Sequence, residues 1–134
     1  LGDERGATTG RGRSVGFLDI PWIQYAVRIN GPRYLALTRF DMLSGIKNMP
    51  VVVGYKLDGK VMEKGQVPPP WRMVDVEPVM ENWEGFEENI YGISEFDELP
   101  KSAQSFIEKI EKLVGVPILL VGTGPERDSI VVNR

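Results

Sequence analysis

PKSAQSFIEKIEKLVGVPILLVGTGPERDSIVV, residues 100–132, changes its hydrophobic period twice. Ala103, Phe106, Ile107, Ile110, Leu113 and Val114 recur at spacings of three and four, which predicts a helix with one apolar face. Pro100 stands at its start and Gly115 at its end, where a helix tolerates the first and favours the second. VPILLV, 116–121, is an unbroken apolar run of strand length and reads as a buried strand. A glycine-rich turn follows, GTGPER, and then a last strand, SIVV. Helix, strand, turn and strand in succession predict an α/β arrangement, a mixed sheet with flanking helices.

Upstream segments extend this pattern. In LDIPWIQYAVRING, 18–31, Asp19 can cap a helix whose first turn holds Pro21, and Gly31 can close it. Ile20, Ile23, Ala26 and Val27 share its inner face. YLALT, Tyr34 to Thr38, predicts a short strand. PVVVGYKLDGKVME predicts a hairpin, Val51 to Leu57 and Lys60 to Glu63, across an Asp58-Gly59 turn. The three prolines at 68–70 read as an extended connector. MVDVEPVME alternates like a strand, with Pro78 marking an edge or a break. ENWEGFEEN, 81–89, reads as a solvated acidic face. Residues 1–16 are glycine-rich without apolar periodicity and read as a loop.

Composition narrows the function classes. A chain of 134 residues accommodates one ordinary domain, and a net charge of -3 supplies no basic field for nucleic acid or an acidic membrane. Without cysteine there is no disulfide framework and no thiolate metal site. Without histidine the commonest acid/base group near neutral pH is missing. No apolar run approaches the length of a membrane span. The chain opens on Leu1, which reads as a piece of a longer protein or a processed one.

Three polar loops can carry chemistry. GATTGRGR, 6–13, sets two threonines and two arginines among glycines. Glycines let backbone N–H groups approach an anion, hydroxyls donate to it, and guanidinium forks grip it. The alternative is a solvated chain end. LALTRFD, 35–41, delivers Thr38, Arg39 and Asp41 at the carboxyl end of a strand, where open α/β sheets bind ligands. A carboxylate there accepts two parallel hydrogen bonds from guanine N1–H and the 2-amino group, and a long cation two residues earlier can lie over the base. The alternative makes Asp41 the N-cap of a short turn. VGTGPER, 121–127, lets backbone approach a flat ligand closely, or is merely a hairpin turn.

GATTGRGR, YAVRING, LALTRFDML, GYKLDGK, IEKIEKLVGVPI and TGPER followed by IVV occur in this order. Together they resemble the C-terminal part of adenylosuccinate synthetase, from about Gly6 to Val132. The resemblance implies the C-terminal portion of a larger, single-domain, P-loop-like ligase. Its reaction turns IMP, L-aspartate and GTP into adenylosuccinate, GDP and phosphate with magnesium, in purine nucleotide synthesis, as a cytoplasmic homodimer. It implies that residues 1–16 form a mobile substrate loop. Ala7, Thr8, Thr9, Gly10 and Arg11 would meet aspartate, with Arg11 also reaching the ribose of IMP. Arg13, Arg39, Phe40, Asp41, Gly122, Thr123 and Gly124 would lie on the GTP side.

The family usually carries lysine where this chain has Arg39, and Gly12 is a milder departure. The family's phosphate loop, its catalytic aspartate, which also binds magnesium, and its catalytic histidine belong to an N-terminal part. No phosphate loop and no histidine occur in these 134 residues, so the expectation is a ligand-recognition piece, inactive alone. The competing expectation is a non-catalytic guanine-nucleotide or anion-binding module that reuses the same loops.

Overall fold

The computed structural model describes residues 10–12 and 14–133. Strand β1 (Leu18–Asp19) runs directly into helix α1 (Ile20–Asn30). Asp19 caps that helix, accepting a hydrogen bond from Trp22 N–H at 3.1 Å, and Gly31 ends it in the left-handed conformation. Strand β2 (Leu35–Leu37) leads into a 3-10 helix, Phe40–Leu43. Strands β3 (Ile46–Leu57), β4 (Lys60–Val61) and β5 (Val76–Phe86) follow. Helix α2 (Lys101–Val114), β6 (Ile118–Gly122) and β7 (Ile130–Val132) complete the order.

The mixed pairing is divided between two sheets. In the first, β5 runs antiparallel along β3, while β1 (parallel) and β4 (antiparallel) pair with short stretches of β3. In the second, β2 and β6 are parallel and β7 returns antiparallel to β6. One core joins them. Phe40, from the 3-10 helix, stacks its ring 5.0 Å from Phe86 of β5 and 5.9 Å from Phe106 of α2. Ile107 and Ile110 of α2 and Val121 and Val131 of the second sheet lie in the same buried cluster.

Helix α2 sits where its apolar spacing places it, and α1 does so only in part. On α2, Ala103, Phe106, Ile107, Ile110 and Val114 are buried and Leu113 is partly so, whereas Ala26 on α1 is exposed. Gln104 is a buried polar residue with every need met: its amide donates to Phe96 O and Leu99 O at 3.2 and 2.8 Å and its carbonyl accepts from Lys101 at 3.0 Å.

The middle of the chain differs from the sequence reading in three ways. The return strand after Asp58-Gly59 is only two residues long, and β3 pairs chiefly with β5. Residues 73–75, read as strand, belong to a 3-10 helix, Pro70–Asp75, so the last of the three prolines opens a helix instead of extending a connector. ENWEGFEEN is not simply a solvated face. Its first six residues are the end of β5, and Trp83, Gly85 and Phe86 are buried. Gly85 permits the closest backbone approach in the described chain: a β-carbon there would stand 1.9 Å from Ile46 O.

Candidate functional site

The parallel pairing of β2 with β6 aligns two strand ends. Leu37 is paired with Val121, so the segments that follow, Thr38 to Asp41 and Gly122 to Gly124, leave the sheet side by side at its carboxyl edge. Their approach is close. A β-carbon on Gly122 would stand 3.3 Å from Arg39 N and 3.5 Å from Thr38 Cα, so glycine is what lets the two turns touch.

Arg39 occupies the N-cap position of the 3-10 helix with φ 57° and ψ 37°. A left-handed arginine costs about 1 kcal/mol or more, and such residues cluster at functional sites. The conformation turns the chain sharply, sending the Phe40 ring into the core while leaving Asp41 half-buried. The Arg39 guanidinium reaches Met42 Sδ at 3.5 Å. Asp41 therefore stands inside the helix and not at its cap, and the capping alternative has no hydrogen bond behind it. Its backbone oxygen accepts from Ser44 N–H at 3.0 Å, and among the described residues its carboxylate has no hydrogen bond or ion pair.

The glycine turn is a hairpin connection and is also welded to a neighbouring loop. Thr123 N–H donates to Ser129 O at 2.9 Å, continuing the β6–β7 pairing. The Thr123 side chain is fully buried and its hydroxyl donates to Ile93 O at 2.6 Å. Thr123 thus has both its hydroxyl and its N–H engaged within the fold. Gly124 packs tightly, since a β-carbon there would meet Ser129 Oγ at 2.9 Å and Tyr91 Cε2 at 3.2 Å.

Of the opening loop, Gly10 and Arg11 are described and exposed, and Gly10 is left-handed with φ 63°. Ala7, Thr8, Thr9 and Arg13 lie outside the described residues. The loop re-enters the fold at β1, whose Asp19 is held twice, by the helix cap and by the Tyr55 hydroxyl, which donates to Asp19 Oδ2. Burial first, then the hydrogen bond and charge of Asp19, push the Tyr55 phenol well above its usual range, so it remains a donor. Beside this re-entry an apolar groove of roughly 300 Å³ runs between Phe17, Leu37, Leu43, Ile46, Met49 and Phe106.

Sequence reasoning nominated Arg39, Asp41 and the glycine turn, and the structure brings these together. The loop at 90–93, which no motif marks, is hydrogen-bonded beside them. Sequence reasoning missed the left-handed Arg39, because arginine rarely adopts that conformation. Among the described residues no three or more Asp, Glu, His or Cys side chains gather as a metal site, and no helix is long and apolar enough to cross a membrane.

The family model for adenylosuccinate synthetase matches residues 1–131. The adenylosuccinate synthetase of Caldicellulosiruptor bescii is 47% identical over 134 residues, covering 98% of this chain and 31% of that protein. That of Thermoanaerobacter sp. is 40% identical over 136 residues, covering 99% of this chain and 31% of that protein. The solved structure of fully ligated adenylosuccinate synthetase from Plasmodium falciparum superposes with a TM-score of 0.91 at 39% identity, over 98% of this chain and 32% of that one. The chain spans about a third of the length of these relatives. With the family model matched along almost its whole length, the chain belongs to the adenylosuccinate synthetase family.

Proposed function

We propose that this chain is the guanine- and aspartate-recognition part of an adenylosuccinate synthetase. The complete enzyme joins L-aspartate to IMP at the expense of GTP, releasing adenylosuccinate, GDP and phosphate. The observation that carries the reading is the side-by-side emergence of Arg39–Asp41 and Gly122–Gly124 at the carboxyl ends of parallel strands. A half-buried carboxylate with no internal partner among the described residues suits the two donors of a guanine edge, N1–H and the 2-amino group. The glycine turn suits the close approach of a flat base. The Arg39 stem can lie over the base, as lysine would in most relatives.

Arg11, with Ala7, Thr8, Thr9 and Gly10, is assigned to the carboxylates of aspartate. Arg11 also reaches the ribose of IMP, and Arg13 faces GTP. Guanidinium forks and hydroxyls are the donors that a dicarboxylate needs. Converting the 6-oxygen of IMP into a phosphate leaving group gives the expenditure of GTP its chemical purpose, and the aspartate amine then displaces that phosphate. In this scheme the present residues bind and orient. Magnesium, which would neutralise the transferred phosphoryl group, is assigned with the phosphate loop and the acid/base residues to the rest of the protein. That remainder would cover the apolar groove beside Phe17, a surface whose size and lining suit burial against another part of the same polypeptide. We assign the complete enzyme to the cytoplasm, as a homodimer.

The test is adenylosuccinate formation from IMP, aspartate and GTP. The complete enzyme is expected to turn over and the 134-residue chain alone is not, because general acid/base groups contribute about 100- to 10,000-fold each and phosphoryl clamping adds more. Ordinary turnover by the isolated chain would contradict the division of labour.

A further inference from the structure

Residues 90–93 tie together the two halves of the strand-end cluster. On one side, Ile90 N–H donates to Ser44 Oγ at 3.3 Å, and Ser44 N–H donates to Asp41 O at 3.0 Å. On the other, Gly92 N–H donates to Thr123 O at 3.0 Å, and the Thr123 hydroxyl donates to Ile93 O at 2.6 Å. Ile90 is fully buried and anchors the loop from below. Between these fixed points stands Tyr91, 55% exposed, its N–H bound to Asn89 Oδ1 at 3.0 Å. The glycine turn is thus approached by Arg39 at Gly122 and by Tyr91 at Gly124. A β-carbon on Gly122 would stand 3.3 Å from Arg39 N, and one on Gly124 would stand 3.2 Å from the Tyr91 ring.

We propose that Tyr91 is a further base-contacting residue of the guanine site, its ring supplying an aromatic wall for the purine whose edge Asp41 reads. The inference rests on the reading of Arg39–Asp41 and Gly122–Gly124 as that site. A purine presents a polar edge and two flat, poorly hydrated faces. Asp41 serves the edge and offers nothing to a face. Tyr91 offers a rigid π surface beside the turn, and its backbone is held on both sides by hydrogen bonds to the elements that form the site. Exposing an aromatic ring at a point so firmly fixed is explained if a flat ligand covers it. The Thr123 hydroxyl then acts as a positioning group, setting the height of Tyr91 relative to the glycine turn.

The test uses the complete enzyme with Tyr91→Ala and Tyr91→Phe, varying GTP, XTP and aspartate separately and recording urea stability. Stacking against a base is indifferent to the groups on its edge, so Tyr91→Ala is expected to raise KM for GTP and XTP alike by about tenfold. The GTP/XTP ratio, the aspartate KM and the stability should stay near the parent values, and Tyr91→Phe, which keeps the ring, should restore the GTP constant. An unchanged GTP KM in Tyr91→Ala overturns the inference. So does a loss of stability with equal rises in every KM, which would make Tyr91 a packing residue against the rest of the enzyme. Asp41→Asn, assayed in parallel, separates the two ideas. If it alters the GTP/XTP ratio while Tyr91→Ala leaves GTP binding intact, only the Tyr91 inference falls. If it leaves the ratio unaltered while Tyr91→Ala raises the GTP KM, the Tyr91 contact stands and the role of Asp41 falls.

Discussion

Gly122→Ala probes the contact that joins the two strand ends. The new β-carbon would lie 3.3 Å from Arg39 N, 3.5 Å from Thr38 Cα and 3.8 Å from Leu37 O. The last two are ordinary contacts and the first is short by a few tenths of an ångström. All three neighbours are backbone atoms, and Arg39 is already in the left-handed region at φ 57°, so the turn has little freedom to rotate away. Inserting a methyl into such a contact costs about 1–3 kcal/mol. Loss of glycine's unfolded-state entropy offsets about 0.4–1 kcal/mol of that. The net expectation is a loss of about 0.5–2 kcal/mol in urea unfolding of the complete enzyme. The kinetic consequence is more specific. Separating the turns would move Asp41 away from the glycine turn and so lengthen the bonds proposed between it and the base. Partial loss of a polar contact, about 1 kcal/mol, should raise the GTP KM roughly fivefold. The aspartate KM should move little, because Arg11 belongs to another loop. Unchanged stability together with an unchanged GTP KM would refute the idea that this contact sets the geometry of the site.

Arg11→Leu in the complete enzyme should raise the aspartate KM sharply, since breaking one side of a desolvated charge pair costs about 2–5 kcal/mol. Its GTP KM should move much less, and steady-state kinetics with each substrate varied in turn checks both. Thr123→Val removes the donor to the partly buried Ile93 carbonyl and should cost about 1 kcal/mol in urea unfolding, with Thr123→Ser retaining most of the bond. Equal stability of the Val variant and the parent would mean that the hydroxyl bond ties nothing down.

The helices were legible because α2 buries a stripe whose spacing survives in the sequence and α1 carries its cap residues at both ends. Phe106, Ile107 and Ile110 announce α2, and Asp19, Pro21 and Gly31 mark both ends of α1. Strand β5 was only half legible. It pairs with β3 along one edge and with nothing among the described residues along the other, so Pro78 is tolerated and Glu77, Glu81 and Glu84 face water. Those acidic residues hide the buried Trp83, whose indole N–H is taken by Glu81 at 3.0 Å and whose face is covered by Lys109 at 4.2 Å.

Within the candidate site, Asp41 and the glycine turn could be named from residue chemistry, because a carboxylate at a strand end and glycines at a close approach are visible as letters. The contribution of residues 90–93 could not. It rests on backbone N–H and carbonyl groups bonded to Ser44 and Thr123 across 46 and 30 positions of sequence, and backbone groups are the same at every residue.

The base preference of Asp41→Asn tests the central claim most directly. Guanine presents two adjacent donors to the Asp41 carboxylate, whereas xanthine keeps N1–H and replaces the 2-amino group with a carbonyl oxygen. Asparagine, with one acceptor and one donor, fits xanthine and misfits guanine. Each mismatched polar contact shifts binding by about 1–3 kcal/mol. In the complete enzyme the GTP/XTP ratio of kcat/KM should therefore fall by about tenfold or more. A variant with the parent's GTP/XTP ratio would mean that Asp41 does not read the base, and would contradict the assignment of this chain to guanine recognition.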